Sequence, residues 1–158
     1  MIVTIDTNVL VNGFRDKITD HFFIIIRIAR DNDPTKVGHD HLDHIFGEYR
    51  RHLDRDRDFQ KWYGRLQQLQ KIHYCDHHID NRHLLQLRTL GCHQTSDHVF
   101  IGVAFHSDKV LISEDSDVGK GPRGNQSPHT EALKYLQEQM GINVYDPQEA
   151  CAKLWRVS

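Results

Sequence analysis

Cysteine is scarce in this chain of 158 residues: Cys75, Cys92 and Cys151 are the only three. The odd count and wide spacing exclude a disulfide framework and suit a reducing compartment, so a cytoplasmic protein is expected. Long apolar runs are missing too. The longest, "HFFIIIRIA" from His21 to Ala29, falls far short of the roughly 20 residues that a membrane-spanning helix needs. The opening run "MIVTIDTNVLV" has no basic stretch before it and already contains Asp6, so no secretory leader is expected there. Charge of one sign is lacking as well. A formal net charge of −2 excludes coating of nucleic acid by bulk charge, but leaves room for a basic patch beside an acidic site. There is no internal repeat, low-complexity tract or clear linker. With 38% apolar and 27% charged residues, the chain should fold as a single domain over 1–158.

What is abundant is histidine, at 13 residues. One cluster is "HDHLDH", residues 39 to 44, which spells His39-x-His41-x-Asp43-His44. That is the zinc-binding spelling of metallo-β-lactamase-type hydrolases. A second cluster, "YCDHHIDNRH", offers Cys75, His77, His78 and His83 as soft ligands.

The apolar pattern predicts alternating strands and helices. Residues 2–5 and 9–11 are apolar and β-branched and read as a buried strand running into a turn at Asp6-Thr7-Asn8. Residues 18–30 read as a buried helix capped by Thr19 or Asp20, with a strand as the competing reading for three consecutive isoleucines. A short strand is expected near 36–39. The stripe Leu42, Ile45, Phe46, Tyr49, Leu53 predicts a helix from His41, and Phe59, Trp62, Leu66, Leu69 a second. "KIHYC" suits a strand, and "DNRHLLQLRTLG" a helix stopped at Gly91. A helix from about Asp97 to His106, capped by Thr95 or Ser96, precedes the strand "KVLIS". "VGKGPRGNQSP" is a loop by composition. A helix ending at Gly141, the strand "INVYD" and a helix starting near Pro147 complete the chain. Strands alternating with helices imply an α/β fold with a mostly parallel central sheet covered on both faces.

In such sheets, ligands bind at the carboxyl ends of the strands. Asp6 ends the first strand. Asp115 and Asp117 follow the strand at 109–113, with Glu114 beside them. Asp97 opens the helix before that strand, and Glu48 borders the buried face of its own helix. Each acid alone suits a turn, a cap or a solvated surface. Together they repel one another, and a hard divalent cation such as Mg²⁺ or Mn²⁺ would make the cluster tolerable. Carboxylates holding such a cation are suited to phosphodiester hydrolysis without a nucleophilic serine or cysteine.

The segments "VTIDTNVLV", Glu48 within a helix, "SDHVFIGVA" and "LISEDSD" resemble, in that order, the motifs of PIN-domain nucleases. The resemblance runs from Asp6 to the terminal "INVYDPQEACAKLW". It implies a three-layer α/β/α fold and an acidic pocket for Mg²⁺ or Mn²⁺. By position, Asp6, Glu48, Asp97 and Asp115 match the acidic quartet and Asp117 the frequent fifth acid. Ser113 and Asn8 match the supporting polar residues. The implied activity is endoribonuclease cleavage of RNA, as a toxin-type or RNA-processing enzyme. An antitoxin or other protein partner and a homodimer are implied with it. Val118 stands where the family commonly has an aromatic.

Two other readings compete. One is a non-catalytic PIN-like module that binds RNA or protein. The other is a zinc hydrolase using His39, His41, Asp43 and His44. On the nuclease reading, His41, His44 and His52 share the helix face of Glu48, and His41 and His44 are placed to meet substrate at the rim. Arg15, Lys17, Arg50, Arg51, Lys120 and Arg123 are the cations available to a phosphate backbone, with Lys120 and Arg123 of the "GKGPRGNQ" loop preferred.

Overall fold

The computed structural model describes residues 1–120 and 130–156. Arg123 and most of the loop expected around it lie outside the described residues. Within them the chain forms five parallel strands: β1 (Ile2–Ile5), β2 (Lys36–Asp40), β3 (Ile72–Cys75), β4 (Val110–Ile112) and β5 (Asn143–Tyr145). The helices are α1 (Thr7–Arg15), α2 (Thr19–Ile28), α3 (His44–Leu53), α4 (Arg57–Gln68), α5 (Asn81–Thr89), α6 (Thr95–Phe105), α7 (Thr130–Glu138) and α8 (Pro147–Leu154). A short 3-10 turn follows β4 at Ser116–Val118. None of the described helices is long and apolar enough to cross a membrane.

The strand order is β3-β2-β1-β4-β5. From β1 the chain steps outward to β2 and β3, then returns to the other side of β1 for β4 and β5. Right-handed crossovers therefore place α1–α4 over one face and α5–α7 over the other, giving three layers, α/β/α. The direction of winding reverses between β1 and β4. That reversal opens a crevice at their carboxyl ends. The register there is tight: Ile5 pairs with Ile112, and the Asp6 amide continues the ladder to the Ile112 carbonyl at 2.9 Å.

The core fills both sides of the sheet. Val3, Ile5, Val37, Leu111, Ile112 and Val144 are buried on the strands. Ile101, Val103 and Ala104 of α6 are also buried, and α6 packs across β1, β2 and β4. Phe14, Phe59 and Trp62 meet edge-on or tilted under α1 and α4.

Several local expectations shift. Residues 9–11 are helical, not strand. Val9, Leu10, Gly13 and Phe14 are buried at helical spacing, and β1 ends at Ile5. In α2 the helix prevails over the strand reading, because Ile24, Ile25 and Ile28 are buried while Ile26 is exposed. Its N-cap is Ile18, with no side-chain cap bond, so neither Thr19 nor Asp20 caps it. Helix α3 starts at His44, three residues later than its stripe suggests. Asp40 accepts from the His44 and Ile45 amides at 2.9 and 2.8 Å and fixes the start. Leu42 thus falls in the turn, 69% exposed. Helix α6 starts at Thr95, with Gln94 as N-cap and no side-chain cap bond. Gly91 stops the segment after α5 with φ of 102°, as its position predicts.

Candidate metal centre

Asp6, Asp97 and Asp115 converge at the crevice between β1 and β4. One carboxylate oxygen from each lies within 4.8 Å of the others. No other group of three or more His, Cys, Asp or Glu residues so converges among the described residues. Each acid arrives by a different local device. Asp6 is the N-cap of α1, but its carboxylate makes no cap bond and is held instead by the Ser113 hydroxyl at 2.7 Å. Asp97 sits in the first turn of α6. Asp115 caps the 3-10 turn, accepting from the Asp117 amide at 2.9 Å. The Asp115 amide in turn donates to the Ser113 hydroxyl at 3.1 Å. Ser113 is fully buried and links two of the three acids.

Burial and neighbouring charge act on Asp97 and Asp6 in the same direction. The Asp97 carboxyl is pushed up to about 8, first by burial and then by Asp115, Asp6 and Asp117. Burial raises Asp6 to about 6, opposed by the Ser113 hydrogen bond and reinforced by Asp115. Asp97 Oδ2 is buried without a hydrogen-bond partner. A buried carboxylate oxygen left unpaired beside two further carboxylates is costly unless a cation meets it. The donor set is all oxygen, which suits Mg²⁺ or Mn²⁺ better than Zn²⁺.

The remaining expected residues stand around this centre. Glu48 lines the same cleft, of about 290 Å³, together with Asn8, Asn12, Arg51, His52, Ser96 and Phe100. Its carboxylate lies outside the converging trio, 3.9 Å from the Arg51 guanidinium. Tyr49, next in the chain, is fully buried and donates to the Ile5 carbonyl at 2.5 Å. Asp117 is half-buried and adds its charge to Asp97 from beyond Asp115. Glu114 turns the other way, accepting from Asn12 and from His21 Nε2, the latter at 2.9 Å. Lys120 forms an ion pair with Glu149 of α8 at 2.7 Å. Lys17 pairs with Asp58 at 3.0 Å.

The hexapeptide "HDHLDH" divides among several jobs. His39 is fully buried in the core, its Nδ1 2.8 Å from the Gly38 carbonyl and its Nε2 3.1 Å from the Tyr63 hydroxyl. Asp40 caps α3. His41 and Leu42 are exposed in the turn, and Asp43 takes a left-handed φ of 59°. The four zinc candidates therefore do not gather, and the zinc-hydrolase reading falls. The second cluster disperses too: Cys75 Sγ contacts the Val103 carbonyl, and His83 Nδ1 is 2.6 Å from the Tyr135 hydroxyl. Cys92 is fully buried, its thiol pushed up to about 12 by burial.

Asn12, Gln94 and Ser96 line the cleft as well, and no sequence motif marks them. The signals were faint: Asn12 lies one helical turn past Asn8, and Ser96 directly precedes Asp97.

No protein-family model matches the chain, and no curated protein matches it. Among solved structures, a chain in the crystal structure of VapBC2 from Rickettsia felis, bound to a DNA fragment from their promoter, is similar in fold. It shares 11% identity at a TM-score of 0.50, and the match covers 92% of this chain and 98% of that one. The likeness spans nearly the whole of both chains and joins the parallel order β3-β2-β1-β4-β5 in marking a three-layer α/β/α, PIN-like fold.

Proposed function

We propose that the chain is a divalent-metal-dependent endoribonuclease of the PIN type, working in the cytoplasm on RNA. The convergence of Asp6, Asp97 and Asp115, together with a buried and unpaired Asp97 Oδ2, carries this reading. Those three carboxylates would hold Mg²⁺ or Mn²⁺, with Asp117 adding negative charge behind them and Glu48 facing them across the cleft. The cation, when bound, supplies Lewis acidity towards a phosphodiester oxygen and towards the attacking water.

The chain's own groups do the rest. Ser113 fixes the Asp6 carboxylate so that its free oxygen keeps one direction. Glu48, which lines the same cleft, would orient the attacking water and take its proton. Arg51 and His52 bring donors to the rim, where non-bridging phosphate oxygens would lie. The N-termini of α1 and α6 both open onto the site, and their dipoles ease the burial of the acids. A toxin-type role with an antitoxin partner is part of the proposal. Its support is the fold likeness to a chain of VapBC2, which was crystallised on a fragment of its promoter DNA.

The test is cleavage of single-stranded and hairpin RNA by wild type and Asp97→Asn, in Mg²⁺, Mn²⁺, Zn²⁺ and EDTA. We expect cleavage in Mg²⁺ or Mn²⁺ that EDTA abolishes and that the variant loses by about 100-fold or more. Equal behaviour of the two proteins in every metal would overturn the reading and leave a binding module of the same fold.

A further inference from the structure

Beside the acidic cleft lies a second and larger one, of about 420 Å³. Glu48, Ser96 and Phe100 belong to both, so the two cavities share a wall. The second cleft runs between the start of α3, the segment linking β3 to α5, and the first turns of α6. Its size falls in the range of small-molecule pockets, roughly 300–1,000 Å³.

Its chemistry is layered. Ile45, Ile79 and Phe100 are buried, and Leu84 and Val99 half-buried, so the floor is apolar. At the mouth the imidazoles of His44 and His77 meet edge to face, 5.3 Å between centroids. Arg88 stands exposed on the α5 side, and Ser96 lines both this cleft and the acidic one. An apolar slot with ring faces at its entrance and a cation on its rim is the recognition chemistry of a nucleotide: the base stacks and the phosphate is met.

The wall carrying His77 is built, not loose. Gly102 of α6 lets the segment lie against the helix, since a Cβ there would fall 2.0 Å from the His77 carbonyl oxygen. The His78 carbonyl accepts from His106 Nε2 at 2.6 Å, and the His78 amide donates to Asp76 at 2.9 Å. Asp80 then caps α5 through the His83 amide at 2.9 Å. His98, on the far side, is fixed by its bond to the Cys92 carbonyl at 2.8 Å.

We infer that this histidine-lined cleft is a base-binding subsite, taking one unstacked nucleobase of single-stranded RNA next to the bond to be cut. The inference rests on the nuclease reading for the position of that bond, and on the cleft itself for the base. An extruded base in this slot would keep one flanking phosphate at Arg88 and lead the backbone past the shared wall of Ser96 and Phe100 into the acidic cleft. The subsite thereby sets sequence preference at a single position.

The experiment has two arms. In the first, the four nucleoside 5′-monophosphates are titrated into the metal-free protein, and the backbone amides of Ile79 and Val99 are followed by NMR. Saturable shifts at those amides, weakened about tenfold or more in His44→Ala and in Arg88→Ala, are the expected result. Both side chains are exposed, so both variants should fold, and an unchanged melting temperature checks that they do. In the second arm, RNA cleavage sites are mapped for wild type and the two variants. A preference at one position flanking the cut, flattened in both variants with KM raised about tenfold, is expected. Nucleotide shifts without any RNA cleavage would sink the nuclease reading while the base site stands. Cleavage with no shifts at Ile79 and Val99, and with the same base preference in both variants, would overturn the subsite and leave the nuclease.

Discussion

Tyr49 of α3 donates its phenolic hydrogen bond to the Ile5 carbonyl at the end of β1, at 2.5 Å, with both residues fully buried. Asp6 follows Ile5 and Glu48 precedes Tyr49, so one hydrogen bond ties the two acidic walls of the cleft together. Burial holds the Tyr49 phenol well above its ordinary range, so it stays a donor at all working pH values. Tyr49→Phe keeps the ring and its packing near Phe100 but leaves a buried carbonyl unpaired. The expected loss of stability is about 1–3 kcal/mol, read by urea denaturation. RNA cleavage should fall by about tenfold, because Glu48 loses its fixed distance from Asp6.

Ser113 is the counterpart on the β4 side. Its hydroxyl donates to Asp6 and accepts from the Asp115 amide, so it sets the angle between two acids of the trio. Ser113→Ala should weaken Mn²⁺ binding by about 10–100-fold, the usual effect of losing a group that orients a metal ligand. Ser113→Thr keeps the hydroxyl and should recover part of the affinity. Isothermal titration with Mn²⁺ separates the two variants. Equal affinity in wild type and Ser113→Ala would show that Asp6 needs no support.

The raised acids make a prediction about pH. Asp97 titrates at about 8 in the folded chain, above the usual carboxylate value near 3.8. Between those values the folded state keeps a proton that the unfolded chain has released. The stability tied to that proton is complete below about pH 4 and is lost as pH rises towards 8. Asp6, at about 6, adds to the lower part of the same window. The melting temperature of the metal-free protein should therefore fall from pH 5 to pH 8. Mn²⁺ should restore it more at pH 8 than at pH 5, because a bound cation takes the place of protons. Asp97→Asn should flatten the metal-free slope. A slope unchanged by that substitution would assign it to other groups.

The acids were legible because strand ends and helix starts are marked locally. Asp6 closes an apolar β-branched run, Asp97 follows Thr95-Ser96, and Asp115 follows "VLIS". Parallel pairing alone then brings such positions to one edge. The histidines misled because "HDHLDH" is a string without a direction. His39 alternates inward on β2 and is spent on the core, while Asp40 is spent on starting α3. Leu42 fitted the helical stripe, yet it lies before the cap and faces water. The Asp40 side chain takes the first amides of that helix and the left-handed Asp43 backbone precedes it, yet Asp40 looks no different in the sequence from Asp43. The histidine-lined cleft was out of reach for another reason: its walls come from α3, α6 and the segment around His77, brought together only by folding.

Gly102 is where that assembly is most exposed to a single change. A Cβ at this position would lie 2.0 Å from the His77 carbonyl oxygen and 2.6 Å from its carbonyl carbon, both backbone atoms that no side-chain rotation can move aside. Gly102→Ala should thus push the His77 segment off α6 and cost about 1–3 kcal/mol, although alanine is the better helix former. Gly64, in the middle of α4, has no such neighbour within 4 Å. Gly64→Ala should stabilise by about 0.5–1 kcal/mol. The pair separates contact from propensity in one denaturation experiment. Because α6 also carries Asp97, the order of loss is informative. Displacement of the His77 wall should abolish mononucleotide binding in Gly102→Ala while Mn²⁺ affinity stays within about threefold of wild type, since the His77 segment contributes no member of the acidic trio. Equal loss of both would mean that α6 itself has moved.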